Sequence, residues 1–138
     1  MKPFIYLRTI RLQETDATGV LYFAEQFKIV LEAFEELLVQ RGFSFKALTE
    51  SPYFMPVVHA ESDYLAPLYV GDQIEIEAKI ERVGTSSVTM GYSLRKAETR
   101  EEVGRAKIIH VLVDRETRAS VPLPDHLRAV FASASSDK

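Results

Sequence analysis

Between Phe23 and Arg41 apolar residues recur three and four positions apart. Phe27, Val30, Leu31, Phe34, Leu37 and Leu38 share one side, and Lys28, Glu32, Glu35 and Glu36 take the other. This period of 3.6 predicts an amphipathic helix over 23–41. Its apolar stripe is wide enough to be covered over most of the helix surface. Gly42 follows where helices commonly end in a left-handed residue. Elsewhere the period is two. Ile74 to Glu81 alternates apolar and charged residues without a break, and Val88, Met90, Tyr92 and Leu94 alternate with Thr89, Gly91, Ser93 and Arg95. Both stretches predict strands with one buried face. Phe4 to Leu12, Phe54 to Leu65 and Val103 to Val113 also read as strands. The second half of the last is apolar on both faces apart from His110, as in a central or interface strand. Ser44 to Glu50 reads as a polar turn or short helix. Pro122 and Pro124 end the β structure, and Asp125 can cap a final helix reaching Phe131.

One long helix and five antiparallel strands predict an α+β architecture. A single sheet has one face to bury, and the 23–41 helix is the large partner on offer, so the sheet should curl around it. The other face mixes charged and apolar strands, so part of it is expected to pack on a second subunit. The 138 residues suit one domain, expected over 1–131. The small, polar "ASASSDK" end (132–138) is expected to fray. There is no internal repeat and no linker.

Composition narrows the function classes. The net charge is −3, with no basic cluster spanning a face, which argues against a nucleic-acid partner. The chain has 0 cysteines, which removes disulfides, cysteine-type zinc sites and thiol nucleophiles. "MKPFIYLRTIRL" at the start alternates rather than forming a continuous apolar run. Neither a signal peptide nor a membrane span is expected, and a cytoplasmic location is the default.

Candidate chemistry gathers in the loop ahead of the long helix, where Glu14-Thr15-Asp16-Ala17-Thr18-Gly19 precedes a run of large apolar residues. Asp and Gly are frequent turn residues, so Asp16 as a turn acceptor is the plain reading from spacing alone. The same carboxylate also stands near a helix N-terminus, whose first N–H groups lack partners and carry the positive dipole end. Such an arrangement supplies what acyl transfer from a thioester needs: a base or nucleophile, and donors for the oxygen that gains charge. His59, Glu61 and Asp63 fall on one face of a strand. Their spacing of about 6.5–7 Å between same-face residues is awkward for three ligands on one ion, so a polar interface row is preferred to a metal site. His110 reads as a satisfied buried histidine and His126 as exposed. Thr85, Ser86 and Ser87 form a turn able to donate to a phosphorylated ligand, with Arg82, Arg95, Lys96 and Arg105 as candidate phosphate partners. Tyr22, Phe23, Phe54, Tyr64 and Tyr69 are candidates for an aromatic acyl pocket, with core packing as the default for most of them.

"ETDATGVLYFAEQF" before a long helix, followed by "YLAPLYVGDQIEIEAKI", resembles the hotdog-fold thioesterases of the 4-hydroxybenzoyl-CoA thioesterase-like family. The resemblance runs from about Phe4 to Phe131. "MPVVHAESDYLAPLYVGD" and "PLPDHLR" are most similar to the 1,4-dihydroxy-2-naphthoyl-CoA thioesterases of that branch, a link to menaquinone or phylloquinone biosynthesis. The resemblance implies a hotdog fold, a homodimer or homotetramer with active sites at subunit interfaces, and hydrolysis of an acyl-CoA without metal or organic cofactor. It implies Asp16 as nucleophile or general base and the Phe23 backbone N–H as oxyanion donor, aided by Ala24. Gly19 would let the loop turn tightly or approach the ligand. Tyr22, Ala24, His59, Thr85, Ser86 and Ser87 are the expected substrate contacts. Many relatives carry Asn where this chain has Glu25, an acid that either raises the Asp16 pKa or simply favours the helix dipole. Thioesterases for aliphatic acyl-CoA or acyl carrier protein, and a non-catalytic acyl-CoA-binding module, are the alternatives. The histidine-bearing loop of hotdog dehydratases is absent.

Overall fold

The computed structural model describes the backbone of residues 3–136 and the side chains of residues 3–132. Five strands form one antiparallel sheet in the order β1-β4-β5-β6-β3: β1 (Phe4–Thr9), β3 (Val57–Tyr64), β4 (Gln73–Val83), β5 (Ser87–Lys96) and β6 (Glu102–Val111). The long helix α1 (Glu25–Gln40) lies across it, which is the hotdog arrangement. The alternation in the sequence becomes the two faces. Ile74, Ile76, Ala78, Val88, Met90, Tyr92, Leu94, Ala106 and Ile108 are buried beside Ile29, Val30, Ala33, Phe34, Leu37 and Leu38 of α1. The opposite face carries cross-strand ion pairs such as Arg95–Glu77 at 3.2 Å and Lys107–Glu81 at 3.6 Å.

Several boundaries differ from the sequence expectations. The first strand stops at Thr9, and Leu12–Glu14 is a 3-10 turn. The expected strand 54–65 is split by Pro56, whose ring removes a donor. Its first part, β2 (Tyr53–Phe54), pairs instead with β7 (Val113–Asp114), which is the detached end of the expected 103–113 strand. A short α2 (Phe45–Thr49) is capped by the Ser44 hydroxyl, which accepts from the Ala47 N–H at 3.0 Å. The last helix, α3 (Asp125–Ser136), continues beyond Phe131 into the expected tail, of which 137 and 138 lie outside the described residues.

The buried stripe of α1 is also shifted. Leu31 is 38% exposed and Phe27 only partly buried, while Gln26 joins the buried face at 2% exposure. One protomer therefore covers one face of the helix rather than most of it. Among the described residues, no helix is long and apolar enough to cross a membrane.

Candidate active site

The loop from Thr15 to Leu21 closes on itself. The Asp16 N–H donates to the Val20 carbonyl at 2.9 Å, the Gly19 N–H to the Asp16 carbonyl at 3.0 Å, and Thr15 bridges Leu21. Gly19 has φ +83°, a left-handed value that a side chain would strain, although nothing crowds the space where its Cβ would be. Its requirement is thus the turn, not close approach to a neighbour.

Two anchors hold the neck of this loop. On one side the Leu21 N–H donates to Leu68 at 2.7 Å and Val20 bridges Tyr69. The Gly71-Asp72 turn beyond them is bonded to Ile10 at the end of β1. On the other side Glu14 accepts the Tyr22 N–H on its carbonyl at 2.8 Å and the Arg11 N–H on its carboxylate at 2.8 Å. The Glu14 carboxylate is also paired with Arg8, which reaches Glu32 of α1 at 3.0 Å. Burial pushes the Glu14 pKa up, but the hydrogen bonds from Arg8 and Arg11 outweigh it and hold the carboxyl below its usual range.

The Asp16 carboxylate is exposed, and its Oδ1 accepts from the Thr18 hydroxyl at 2.5 Å and the Thr18 N–H at 2.8 Å. These two bonds lower its pKa, so it is ionised at neutral pH. Oδ2 accepts none of them. The turn-acceptor reading of Asp16 therefore holds for Oδ1.

The helix begins two residues later than expected, at Glu25, with Ala24 at the N-cap position and no side-chain cap. Its first turn is bonded three residues back, Glu25 N–H to Tyr22 and Gln26 N–H to Phe23. Among the described residues, the N–H groups of Phe23 and Ala24 have no backbone or side-chain acceptor. Both precede the helix proper, outside the reach of an N-cap side chain, which would serve the Gln26 or Phe27 N–H instead. Phe23 is 61% exposed with its ring against Tyr22 at 4.8 Å. Tyr64 at the end of β3 reaches over and donates to the Phe23 carbonyl at 2.7 Å. A cavity of about 360 Å³ opens here, lined by Val20, Leu21, Phe23, Gln26, Tyr64 and Leu68 among others.

Other expected contacts lie elsewhere. Thr9 pairs with Gln73 at the loop end of β4, whereas Thr85–Ser87 follow Val83 at its far end. The 11 residues of β4 put about 33 Å between these ends at roughly 3.3 Å per residue, so one protomer does not bring Thr85, Ser86 and Ser87 to Asp16. Thr85 and Ser86 give their carbonyls to the Leu123 and Leu112 N–H groups. His59 stands on the outer face of β3 and pairs with Glu61 at 2.8 Å. Among the described residues, no trio of His, Asp or Glu is arranged to hold a metal ion. Arg105 is tied to Glu102 at 2.7 Å and Arg95 to Glu77. Phe54 pairs with Val113 beneath Arg115 and Arg118 and does not line this cavity. Tyr22 and Tyr69 are exposed rather than packed in the core. Glu25 pairs with Lys28 at 3.5 Å and is not among the groups that shift the Asp16 pKa. His110 is buried as expected, but neither ring nitrogen is satisfied.

Sequence reasoning missed Thr18, Gln26 and the Arg8–Glu14–Glu32 chain. Gln26 was visible in the period, since it stands three before Ile29 and four before Val30 on the buried stripe.

The chain is similar to 1,4-dihydroxy-2-naphthoyl-CoA hydrolases of Synechococcus elongatus, at 34% identity over 93% of this chain and 94% of the relative. Against that of Nostoc punctiforme the identity is 37%, over 90% of this chain and 83% of the relative. A crystal structure of a 1,4-dihydroxy-2-naphthoyl-CoA thioesterase from Synechocystis superimposes with a TM-score of 0.91 at 27% identity, covering 97% of this chain and 98% of that one. With residues 10–131 matching its profile, the chain belongs to the thioesterase-like superfamily.

Proposed function

We propose that the protein hydrolyses an aryl-CoA thioester such as 1,4-dihydroxy-2-naphthoyl-CoA to the free aryl acid and CoA. One observation carries this reading. An ionised, exposed carboxylate sits on a closed loop whose far end leads directly into two open N–H groups, at Phe23 and Ala24, the first of which lines an apolar pocket. The names borne by relatives of nearly the same length support the substrate class.

In this reading the thioester carbonyl oxygen lies at the Phe23 and Ala24 N–H groups, which hold the negative charge of the tetrahedral intermediate. Asp16 acts at the carbonyl carbon in one of two ways. Its Oδ2 attacks, the C–S bond breaks to release CoA thiolate, and water then cleaves the mixed anhydride. Alternatively it takes a proton from water, whose oxygen attacks instead. Single turnover in 18O-water tests the first route: label in Asp16 shows that its own oxygen passed to the product and that water cleaved the anhydride at the Asp16 carbon.

The site works as an assembly of at least two copies. β3 is an edge strand with Val57 45% and Val58 59% exposed, and an exposed apolar edge favours pairing with another strand. Pairing there would offer the partner's turn after β4 as the source of the Thr85–Ser87 contacts. CoA release from a panel of aryl and aliphatic thioesters, measured with a thiol reagent, tests the proposal. Turnover should be highest for aryl-CoA and fall at least about a hundredfold in Asp16→Asn. Equal, slow release by both proteins would overturn it.

A further inference from the structure

Beneath the pocket lies a polar side chain that the hydrolytic step does not use. Gln26 is 2% exposed and lines the cavity beside Phe23, Tyr64 and Leu68. Burying a carboxamide is unfavourable unless both its ends find partners. The Nε2 end does, donating to Ser62 Oγ at 2.7 Å and to the Asp63 carbonyl at 3.1 Å. A backbone carbonyl only accepts, so the second bond sets which end of the amide faces β3, and together the two bonds use both N–H hydrogens. Oε1 is left without a donor among the described residues. Unlike the enclosed Tyr92 hydroxyl and His110 nitrogens, it is not sealed within the core.

The seat for this amide is built by a second element. A Cβ on Gly104 of β6 would stand 2.8 Å from both Nε2 and Oε1. Gly104 pairs with Tyr64, and Ala106 beside it with Ser62. A glycine therefore makes the room and a serine on the neighbouring strand fixes the orientation. The surrounding pocket is otherwise apolar apart from the Tyr64 hydroxyl, whose hydrogen is committed to Phe23.

We propose that Gln26 is a specificity-determining residue, whose Oε1 accepts a hydrogen bond from a ring hydroxyl of the aryl group in this pocket. The inference rests on the thioesterase reading and assigns the recognition of hydroxylated rings to one atom. Gln26 stands three residues after Phe23, on the same face and one turn deeper. A ring extending inward from a carbonyl held at the Phe23 N–H runs along that face. A bare ring would cover the unpaired carbonyl and forfeit its hydration, whereas a hydroxyl satisfies it. This asymmetry is what makes a polar group in an apolar site selective.

The test compares kcat/KM for 1,4-dihydroxy-2-naphthoyl-CoA, its two monohydroxy analogues and 2-naphthoyl-CoA, in the wild type and Gln26→Met. The wild type should prefer at least one hydroxylated substrate over the bare ring by about tenfold, the size of one buried hydrogen bond. Gln26→Met should erase that preference. A structural role would slow every substrate by one common factor and leave the ratio intact, which would overturn the inference, as would a wild type indifferent to the hydroxyls. If the wild type cleaves none of the four, the thioesterase reading fails by itself, and the same ratios are read from dissociation constants. Should Gln26→Met not fold, Gly104→Ala displaces the amide from the other side and should erase the preference equally.

Discussion

The Tyr64 hydroxyl donates to the Phe23 carbonyl at 2.7 Å, joining the end of β3 to the turn that precedes α1 across 41 positions of sequence. The Phe23 carbonyl and the Ala24 N–H belong to one planar peptide group and point in opposite directions. Tyr64 therefore fixes the plane of the peptide group that carries the Ala24 N–H. Removing the hydroxyl in Tyr64→Phe should lower kcat about fivefold, the effect of one hydrogen bond of about 1 kcal/mol, with a smaller change in KM. Because Tyr64 is 48% exposed, urea denaturation should show little loss of stability. Steady-state kinetics with a good aryl-CoA substrate check the split.

Thr18 controls the ionisation of Asp16. Its hydroxyl and N–H both donate to Oδ1 and favour the charged form, holding the pKa below the ordinary 3.8. Thr18→Val removes the hydroxyl and keeps the N–H. The Asp16 pKa should then rise, and the acid limb of the pH–rate profile should move to higher pH with it. NMR titration of the Asp16 carboxyl carbon in the two proteins measures the shift directly. No upward movement would mean that Thr18 does not stabilise the carboxylate.

Glu14 and Arg8 form the other support of the loop, with side chains 11% and 9% exposed. Glu14→Ala leaves the Arg8 charge buried with Glu32 alone and frees the Arg11 N–H. Loss of one partner of a buried pair costs about 3 kcal/mol or more, which chemical denaturation should register. Double-mutant analysis with Arg8→Met should recover part of that loss, since removing both charges leaves none unpaired.

His110 sets a pH dependence of stability. Its ring stacks on Phe34 at 4.4 Å and is 4% exposed. Burial lowers its pKa from 6.5, opposed in part by the Met55 backbone. A base with a depressed folded pKa binds its proton more readily in the unfolded chain. The stability is thus fully present above about pH 6.5 and is lost as pH falls below it, by up to about 1.4 kcal/mol per unit, until the folded pKa is reached. Urea midpoints at pH 7.5 and 5.5 should reveal the loss in the wild type and a smaller one in His110→Phe.

Residues 74–81 and 88–94 announced their strands, and 27–38 their helix, because burial on one side of a repeating backbone imposes a period on side chains. Asp16 and Gly19 were legible as a loop that turns, and Gly42 has the left-handed backbone expected of it. The break at Pro56 was visible in principle, since proline rarely continues a central strand. The partners of Tyr53 and Phe54 were not, because Val113 and Asp114 lie about sixty residues away.

The amino-acid order by itself thus determined the elements, the apolar faces and the position of the carboxylate ahead of the helix, all of which depend on neighbours within a few residues. Only the tertiary structure decided that the Phe23 and Ala24 N–H groups stay open, that Thr18 rather than Glu25 governs Asp16, and that Gly104 and Ser62 seat the amide of Gln26. It also decided that the turn at 85–87, an expected substrate contact, stands at the opposite end of β4 from the Asp16 loop of the same protomer. These relations are set by strand order and by hydrogen bonds between segments far apart in the chain. Such contacts leave no periodic trace in the sequence that makes them.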